Sequence, residues 1–505
     1  MSLVRSGLIV GLASIASKIL GFVRDVLFAL VLGAGPVADA FLAAFRLPNL
    51  LRRVLSEGGL NPALIPMLAR LDARERPVFA GEALAGLGVV LLAVTALVQV
   101  GAGAVVLVVA PGLGGTEGAA DLAALYTRTA FPVVLAVTLA SLLAAVLNHA
   151  RRFTAAALAP LALNGVLILV LLALRHSTEL PLERQAFWAA VAASAGGFVQ
   201  LAIVGLALIG HGCLIRPARP RWSRALATLS GASFATLLAG SAVHLFVLVG
   251  AQVASFLPSG VSWLYYADRL VQLPFGLIAS VAGVVLMPEL ASRHGSGDRE
   301  ALIGAQNRAL ETGLLIAMPA CVALAILAEP IASTLFERGS FGPEDTDGTV
   351  QALLGLSLAL PFAVAGKILA QTLFARSATR EALSAVALGL VVTSLASLVL
   401  SRGFGVLGVG LGIAAGCAAH VAALRRALGK AGLWSADARL LRRTGRILAA
   451  CLCLGVSLGL LRPLLPPSGA GLLALCAGGF AVYAGAAWLL GAVTREEIAL
   501  LAKKA

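Results

Sequence analysis

The chain has 505 residues, of which 60% are hydrophobic and only 12% are charged. Soluble domains carry about 25% charged residues, so a water-soluble protein of several domains is excluded and a polytopic membrane protein is left. The formal net charge of +14 would suggest nucleic acid in a soluble protein, but here its position along the chain decides its meaning.

The opening "MSLVRSGLIV" has a basic start and an apolar run, as a signal peptide does. The run continues to Gly33 without an A-x-A cleavage site, so it reads as a retained first helix. Apolar segments punctuated by Gly, Pro or charge then predict fourteen spans: 7–33, 36–57, 79–110, 122–148, 154–175, 184–210, 225–255, 261–291, 302–335, 349–375, 381–401, 404–424, 446–462 and 469–492. Several exceed the roughly 20 residues a bilayer needs, which implies tilt, kinks or extension into water. The expected fold is an all-α polytopic membrane protein.

The connections alternate in charge. "HARRF" (149–153), "HGCLIRPARPRWSR" (211–224), "SRHGSGDR" (292–299), "ARSATR" (375–380) and the stretch 424–446 are basic, whereas 111–121, 256–260, 336–347 and 464–469 are neutral or acidic. The positive-inside rule therefore puts both termini in the cytoplasm. The net charge becomes a topological signal and a face towards anionic membrane lipids, with no nucleic-acid partner needed. The tail "TREEIALLAKKA" reads as a short interfacial helix or a frayed terminus. Cys213, Cys321, Cys417, Cys451, Cys453 and Cys476 form no C-x-x-C and have no histidine cluster nearby, so neither zinc nor a disulfide framework is indicated and no cofactor is expected.

A weak internal repeat runs through the chain. "ALIPMLA" (63–69) matches "VLMPELA" (285–291), and "LLAAVLNHARRFTAAALA" (142–159) is similar to "ILAQTLFARSATREALSA" (368–385), with Arg151 and Arg376 as equivalents. Six spans lie between equivalents, so the copies keep one orientation. Two six-helix lobes, 1–215 and 216–430, related by an axis along the membrane normal follow, with 431–505 as a C-terminal helix pair and short tail.

The segment "SKILGFVRDV" (17–26) places Lys18, Arg24 and Asp25 inside the first span. An ionisable side chain in hydrocarbon costs at least about 2.5–3.5 kcal/mol on insertion scales. That cost is tolerated where the charge faces a watery cavity, pairs with another charge, or binds a ligand. Lys18, Gly21 and Asp25 share one helical stripe, with Arg24 about 100° round. In the second span Asp39, Arg46 and Arg53 stand at heptad spacing with Arg52 beside them, and Pro48 is expected to kink the helix. The eighth span carries Asp268 and Arg269 in "YYADRLVQLP". At a rise of ~1.5 Å per residue, Arg24 and Arg269 lie about 12–13 Å from the outer ends of their helices and Arg52 about 24 Å down, a ladder of arginines.

Mutual neutralisation is the simpler reading: Arg53 with Glu57, Asp268 with Arg269, and Asp25 and Asp39 each with an arginine. It fails as a full account because Lys18, Arg24, Arg46, Arg52, Arg53 and Arg269 outnumber Asp25, Asp39, Glu57 and Asp268. Surplus guanidinium in a membrane calls for an anionic ligand, and the arginine fork suits phosphate oxygens. A cavity for a phosphate-bearing substrate is the expectation, with Asp25 and Asp39 orienting the arginines. His244 and His420 read as packed or cavity-lining residues, and Gly408, Gly412 and Gly416 as a close helix contact. Lys367 and Glu289 are assigned no role.

The stretch 17–68 from "SKILGFVRDV" to "ALIPML", together with "VSWLYYADRLVQLPFGLIASVAGVVLMPEL" and "LFERGSF", resembles the MurJ (MviN) family of lipid II flippases, within the multidrug/oligosaccharidyl-lipid/polysaccharide exporter superfamily. The resemblance implies two six-helix lobes and a C-terminal pair forming a lipid-facing groove. It implies undecaprenyl-pyrophosphate-linked disaccharide-pentapeptide as substrate, with Arg24, Arg52 and Arg269 matching the family's cavity arginines and Asp39 its acidic second-helix position. The bacterial inner membrane and cell-wall synthesis proteins as partners are further implications.

The chain departs from the family in places. Lys18 stands where many members have arginine, keeping the charge without the fork. The seventh span lacks the family's proline and asparagine and has His244 and Gln252 as polar residues. The seventh and twelfth spans hold no Asp or Glu and the eleventh none past Glu381 at its edge, which argues against a sodium site there.

The expected function is therefore alternating-access export of lipid II, without enzymatic chemistry. A flippase for another polyprenyl-linked glycan is the nearest rival. A cation or drug antiporter needs surplus carboxylate rather than arginine. A membrane glycosyltransferase needs a sizeable loop with paired carboxylates, and the outer loops here are short.

Overall fold

The computed structural model describes residues 3–52, 67–68, 71–72, 74–177, 179–212, 215, 240–295, 299–375 and 378–493, and the regular structure among them is helical. In chain order the helices are α1 (Leu3–Leu32), α2 (Pro36–Arg52), α3 (Arg76–Val109), α4 (Ala119–Ala130), α5 (Pro132–His149), α6 (Phe153–Leu174), α7 (Leu182–Gly210), α8 (Ala242–Ala254), α9 (Gly260–Gly295), α10 (Arg299–Ile326), α11 (Ala328–Phe336), α12 (Pro343–Ser357), α13 (Ala359–Ala375), α14 (Thr379–Lys430), α15 (Ala438–Leu461) and α16 (Gly469–Leu489). Each of the fourteen expected spans coincides with a helix, a helix pair or one half of α14. Of 225–255, only α8 falls among the described residues. By length and apolarity alone, eight spans among the described residues can cross a bilayer, or nine with the bent α12–α13 pair. The charged helices α1, α2 and α9 stand outside that set. The protein is an all-α, multi-pass membrane protein.

The interruptions have local causes. Pro132 opens α5, where the missing N–H costs nothing, so α4 and α5 form one broken span. Helix α2 continues through the buried Pro48. The α12–α13 pair bends by 40°. Pro361 has no N–H to give the Ser357 carbonyl four residues earlier, which opens the ladder there. In α14, Gly405 sits at φ 53°, ψ −133°, a conformation that glycine tolerates and that turns the chain back on itself.

The chain divides into two compact units. The first comprises Met1–His244, Ser255–Ser262 and Arg338–Gly342. Here α1 lies along α6, α6 and α5 lie along α7, and α2 packs on α4. Phe28, Phe41, Phe45 and Tyr126 form a fully buried ring cluster, with centroids 5.1–6.3 Å apart. The short 338–342 segment caps the end of α1: Ser340 N donates to the Leu30 carbonyl at 3.0 Å and Ser340 Oγ to that of Val31 at 3.1 Å.

The second unit comprises Leu245–Ala254, Trp263–Glu337 and Pro343–Ala505. Helix α14 folds as a hairpin against α12 and α13, α13 packs on α10, and α15 lies on α10 beside α16. The expected close contact at the glycine triplet is real: a Cβ on Gly408, Gly412 or Gly416 would overlap Leu400, Ser397 or Thr393 of the preceding half-helix. His420 is buried and meets Phe246 edge-on, with centroids 5.5 Å apart. Of the sequence repeat, most of 63–69 and Arg376 lie outside the described residues, as do Cys213, Arg53, Glu57 and the tail from 494 onwards.

Candidate functional site

Arg24 and Asp25 sit on the last third of α1, where the helix is wrapped by α2 and α6, and only 5% and 2% of their surfaces are exposed. The neighbouring side chains fold onto each other. Arg24 Nη2 and Nε donate to Asp25 Oδ1 at 2.7 and 3.0 Å, and Arg24 Nη1 donates to Asn164 Oδ1 at 3.0 Å. The guanidinium also lies against the rings of Phe28 and Phe45, at 5.7 and 5.6 Å from their centroids. Three donors of the five-donor fork are engaged.

Asn164 was not singled out by sequence reasoning, yet it is the tie between α6 and α1. Its Nδ2 donates to the Ser17 carbonyl at 3.2 Å, and its amide seats over Gly21, where a Cβ would lie 3.8 Å from it. The signal for it was a single amide in the otherwise apolar "FTAAALAPLALNGVLILVLLAL". A primary amide in an apolar helix face needs a polar partner.

Asp39 opens α2 and is 3% exposed. Its Oδ1 accepts from Ser262 N at 2.8 Å and from Ser262 Oγ. Ser262 lies in the first turn of α9, so a carboxylate meets the orphan donors and the positive end of a helix. The positive charge of Arg46, on the same helix, also acts on Asp39 through space. Arg46 and Arg52 are half-buried on α2, and Lys18 is exposed on α1.

Arg269, in the second unit, is held within its own helix. Its guanidinium sits 4.4 Å from the ring centroid of Tyr265, and Nη1 donates to Gln272 Oε1 at 3.2 Å, while Gln272 Nε2 bonds Asp268. The i, i+3 and i+4 spacing puts all four on one side of α9. The structure thus brings Arg24 together with Asp25, and Arg269 with Asp268 through Gln272. Asp39 is joined to Ser262.

A family model described as lipid II flippase MurJ matches residues 28–470. The probable lipid II flippase MurJ of Rhizobium meliloti is 33% identical over 469 residues, covering 91% of this chain and 86% of the relative. The lipid II flippase MurJ of Burkholderia cenocepacia is 31% identical over 470 residues, covering 90% and 89%. Among solved structures, a lipid II flippase MurJ in an inward closed conformation is similar at a TM-score of 0.78 and 22% identity, covering 95% of this chain and 98% of that one. An inward-facing multidrug resistance MATE family transporter is similar at a TM-score of 0.67 and 15% identity, covering 83% and 95%.

Proposed function

We propose that the chain, which belongs to the lipid II flippase MurJ family, carries lipid II from the inner to the outer leaflet of the bacterial cytoplasmic membrane by alternating access. The observation that carries this reading is Arg24, a guanidinium sunk among apolar rings. Arg24, Arg52 and Arg269 hold the pyrophosphate, Asp25 fixes the Arg24 fork, and Lys18 adds charge at the exposed side of α1. Asp39 tethers the start of α9 through Ser262. The helices act as two six-helix lobes, 1–215 and 216–430, with the pair in 431–505 guiding the polyprenyl tail. Both termini face the cytoplasm. The work is transport, without covalent chemistry, and the partners are lipid II, membrane lipids and cell-wall synthesis proteins.

Depleting the protein in its host tests the reading. Lipid II should accumulate on the inner leaflet and return to normal when the intact gene is restored. Accumulation of a different polyprenyl-linked glycan, with lipid II unchanged, overturns the substrate assignment.

A further inference from the structure

Glu311 lies midway along α10 and is fully buried, at 0% exposure. A carboxylate can only accept, and three guanidiniums surround this one. Arg443 Nη1 is 2.8 Å from Oε2, Arg308 Nη2 is 3.1 Å from Oε1, and Arg439 Nε is 3.6 Å from Oε2. Arg439 and Arg443 belong to α15. The buried Arg443 also donates from Nε to the Ala492 carbonyl at 2.8 Å, just past the end of α16. Arg308 bridges onwards to Asp437 Oδ2, and Asp437 Oδ1 accepts from Leu440 N at 2.7 Å, capping α15. One carboxylate on α10 therefore gathers the beginning of α15 and the end of α16.

The same three helices are joined again further along. Tyr483 Oη of α16 donates to the Leu315 carbonyl of α10 at 2.7 Å, and Arg462, after α15, donates to the Ile326 carbonyl at 3.4 Å and pairs with Glu329. Between these ties runs an apolar seam in which Ile447, Cys451, Leu454 and Leu458 pack with Met318 and Val322. An apolar seam tolerates sliding, because dispersion contacts are non-directional and many registers give similar burial. A buried carboxylate held by one charge-assisted hydrogen bond, from Arg443 Nη1, and by the charges of two more guanidiniums admits one register.

We infer that Glu311 is a positioning residue that fastens α15 and α16 to α10, so that the three helices travel as one body through the transport cycle. The outward side of α15 exposes Leu448, Leu452, Val456 and Leu460. The path of that apolar surface is then set by the movement of α10. This functional half rests on the transport reading above; the mechanical half does not.

Two measurements separate them. In a chain keeping only Cys451, which is buried, a membrane-permeant maleimide should label the thiol slowly. Glu311→Gln should raise the Cys451 rate at least tenfold, and Glu311→Asp should keep it slow. An unchanged Cys451 rate in Glu311→Gln overturns the fastening role. Should Glu311→Gln fail to fold, Glu311→Gln/Arg443→Met removes both buried partners and should show the same labelling. The second measurement keeps Glu311. A Cβ on Gly455 would lie 3.5 Å from Val322 Cγ1, so Gly455→Cys and Val322→Cys can be bridged by a short bifunctional thiol reagent. In proteoliposomes the bridged chain should flip lipid II within twofold of the unbridged one. A tenfold loss on bridging overturns the one-body inference. Failure of the unbridged chain to flip lipid II refutes the transport reading instead and leaves the labelling result standing.

Discussion

Arg24 is paired and buried, and that combination determines how its variants behave. Removing it alone takes its guanidinium from Asp25, in a site only 2% exposed, and takes the Arg24 donor from Asn164 Oδ1. Breaking a buried ion pair from one side costs about 3–5 kcal/mol, whereas removing both partners together is often close to neutral. Arg24→Ala should therefore lower the thermal midpoint in detergent, and Arg24→Ala/Asp25→Ala should recover most of that loss. Neither should restore flipping in a depletion strain. Growth of the double variant at the wild-type rate would remove Arg24 from the substrate site. Arg24→Lys keeps the charge and loses the fork, so it should support transport only in part. The Arg24–Asp25 pair was legible because the residues are adjacent in sequence. Asn164 was not, because its partner lies 140 residues away and only the packing of α6 on α1 brings them together. For Asp39 the sequence displayed a charge in need of a partner but not which group would answer it. A serine in the first turn of a distant helix carries no signal beyond composition.

Among the elements, the spans that fall within the described residues were legible because a helix in lipid must satisfy its backbone internally, so apolar runs and polar punctuation map onto helices. What the punctuation does not reveal is the manner of each break. Pro361 opens a 40° bend inside one span, whereas Gly405 reverses the chain between the two halves of α14. The returning half of α14 depends on Gly408, Gly412 and Gly416, and this contact sets a sharp test. A Cβ at Gly412 would lie 2.6 Å from Ser397 Cα, backbone that has no room to yield, whereas one at Gly403 meets nothing within 4 Å. Gly412→Ala should destabilise by about 1–3 kcal/mol through overpacking, and Gly403→Ala should be neutral or slightly stabilising. Thermal unfolding in detergent checks both, and equal midpoints would remove the glycine contact from the stability of the hairpin.

For the molecule as a whole, alternation of basic and non-basic loops supports cytoplasmic termini. A single cysteine placed at 343–347 should then react with an impermeant thiol reagent from outside, and one at 216–220 should not. Reversed labelling would reverse the proposed direction of transport. That direction bears on the driving force. The pyrophosphate carries about two negative charges, and moving one charge through 100 mV is worth ~2.3 kcal/mol. An inside-negative potential therefore favours outward movement of the anion, by several kcal/mol if the whole field is crossed. The gain is cancelled to the extent that arginines move outward with the substrate, since their charge moves against the field. Arg24 is poorly suited to such travel: Asp25 neutralises it on the same helix, and Asn164 ties it to α6. A buried, paired guanidinium moves only as far as its helices do, so most of the charge crossing the field belongs to the substrate. The acid-free seventh and twelfth spans, and the eleventh past Glu381, supply no carboxylate for a sodium ion within the apolar stretch. Membrane potential alone should then drive the cycle. In proteoliposomes clamped by potassium and valinomycin, flipping of lipid II should accelerate with an inside-negative potential in chains oriented as in the cell, with or without sodium. A rate that ignores the potential and requires a sodium gradient would refute this coupling and would place the ion's ligands on hydroxyls, amides or backbone carbonyls instead of carboxylates.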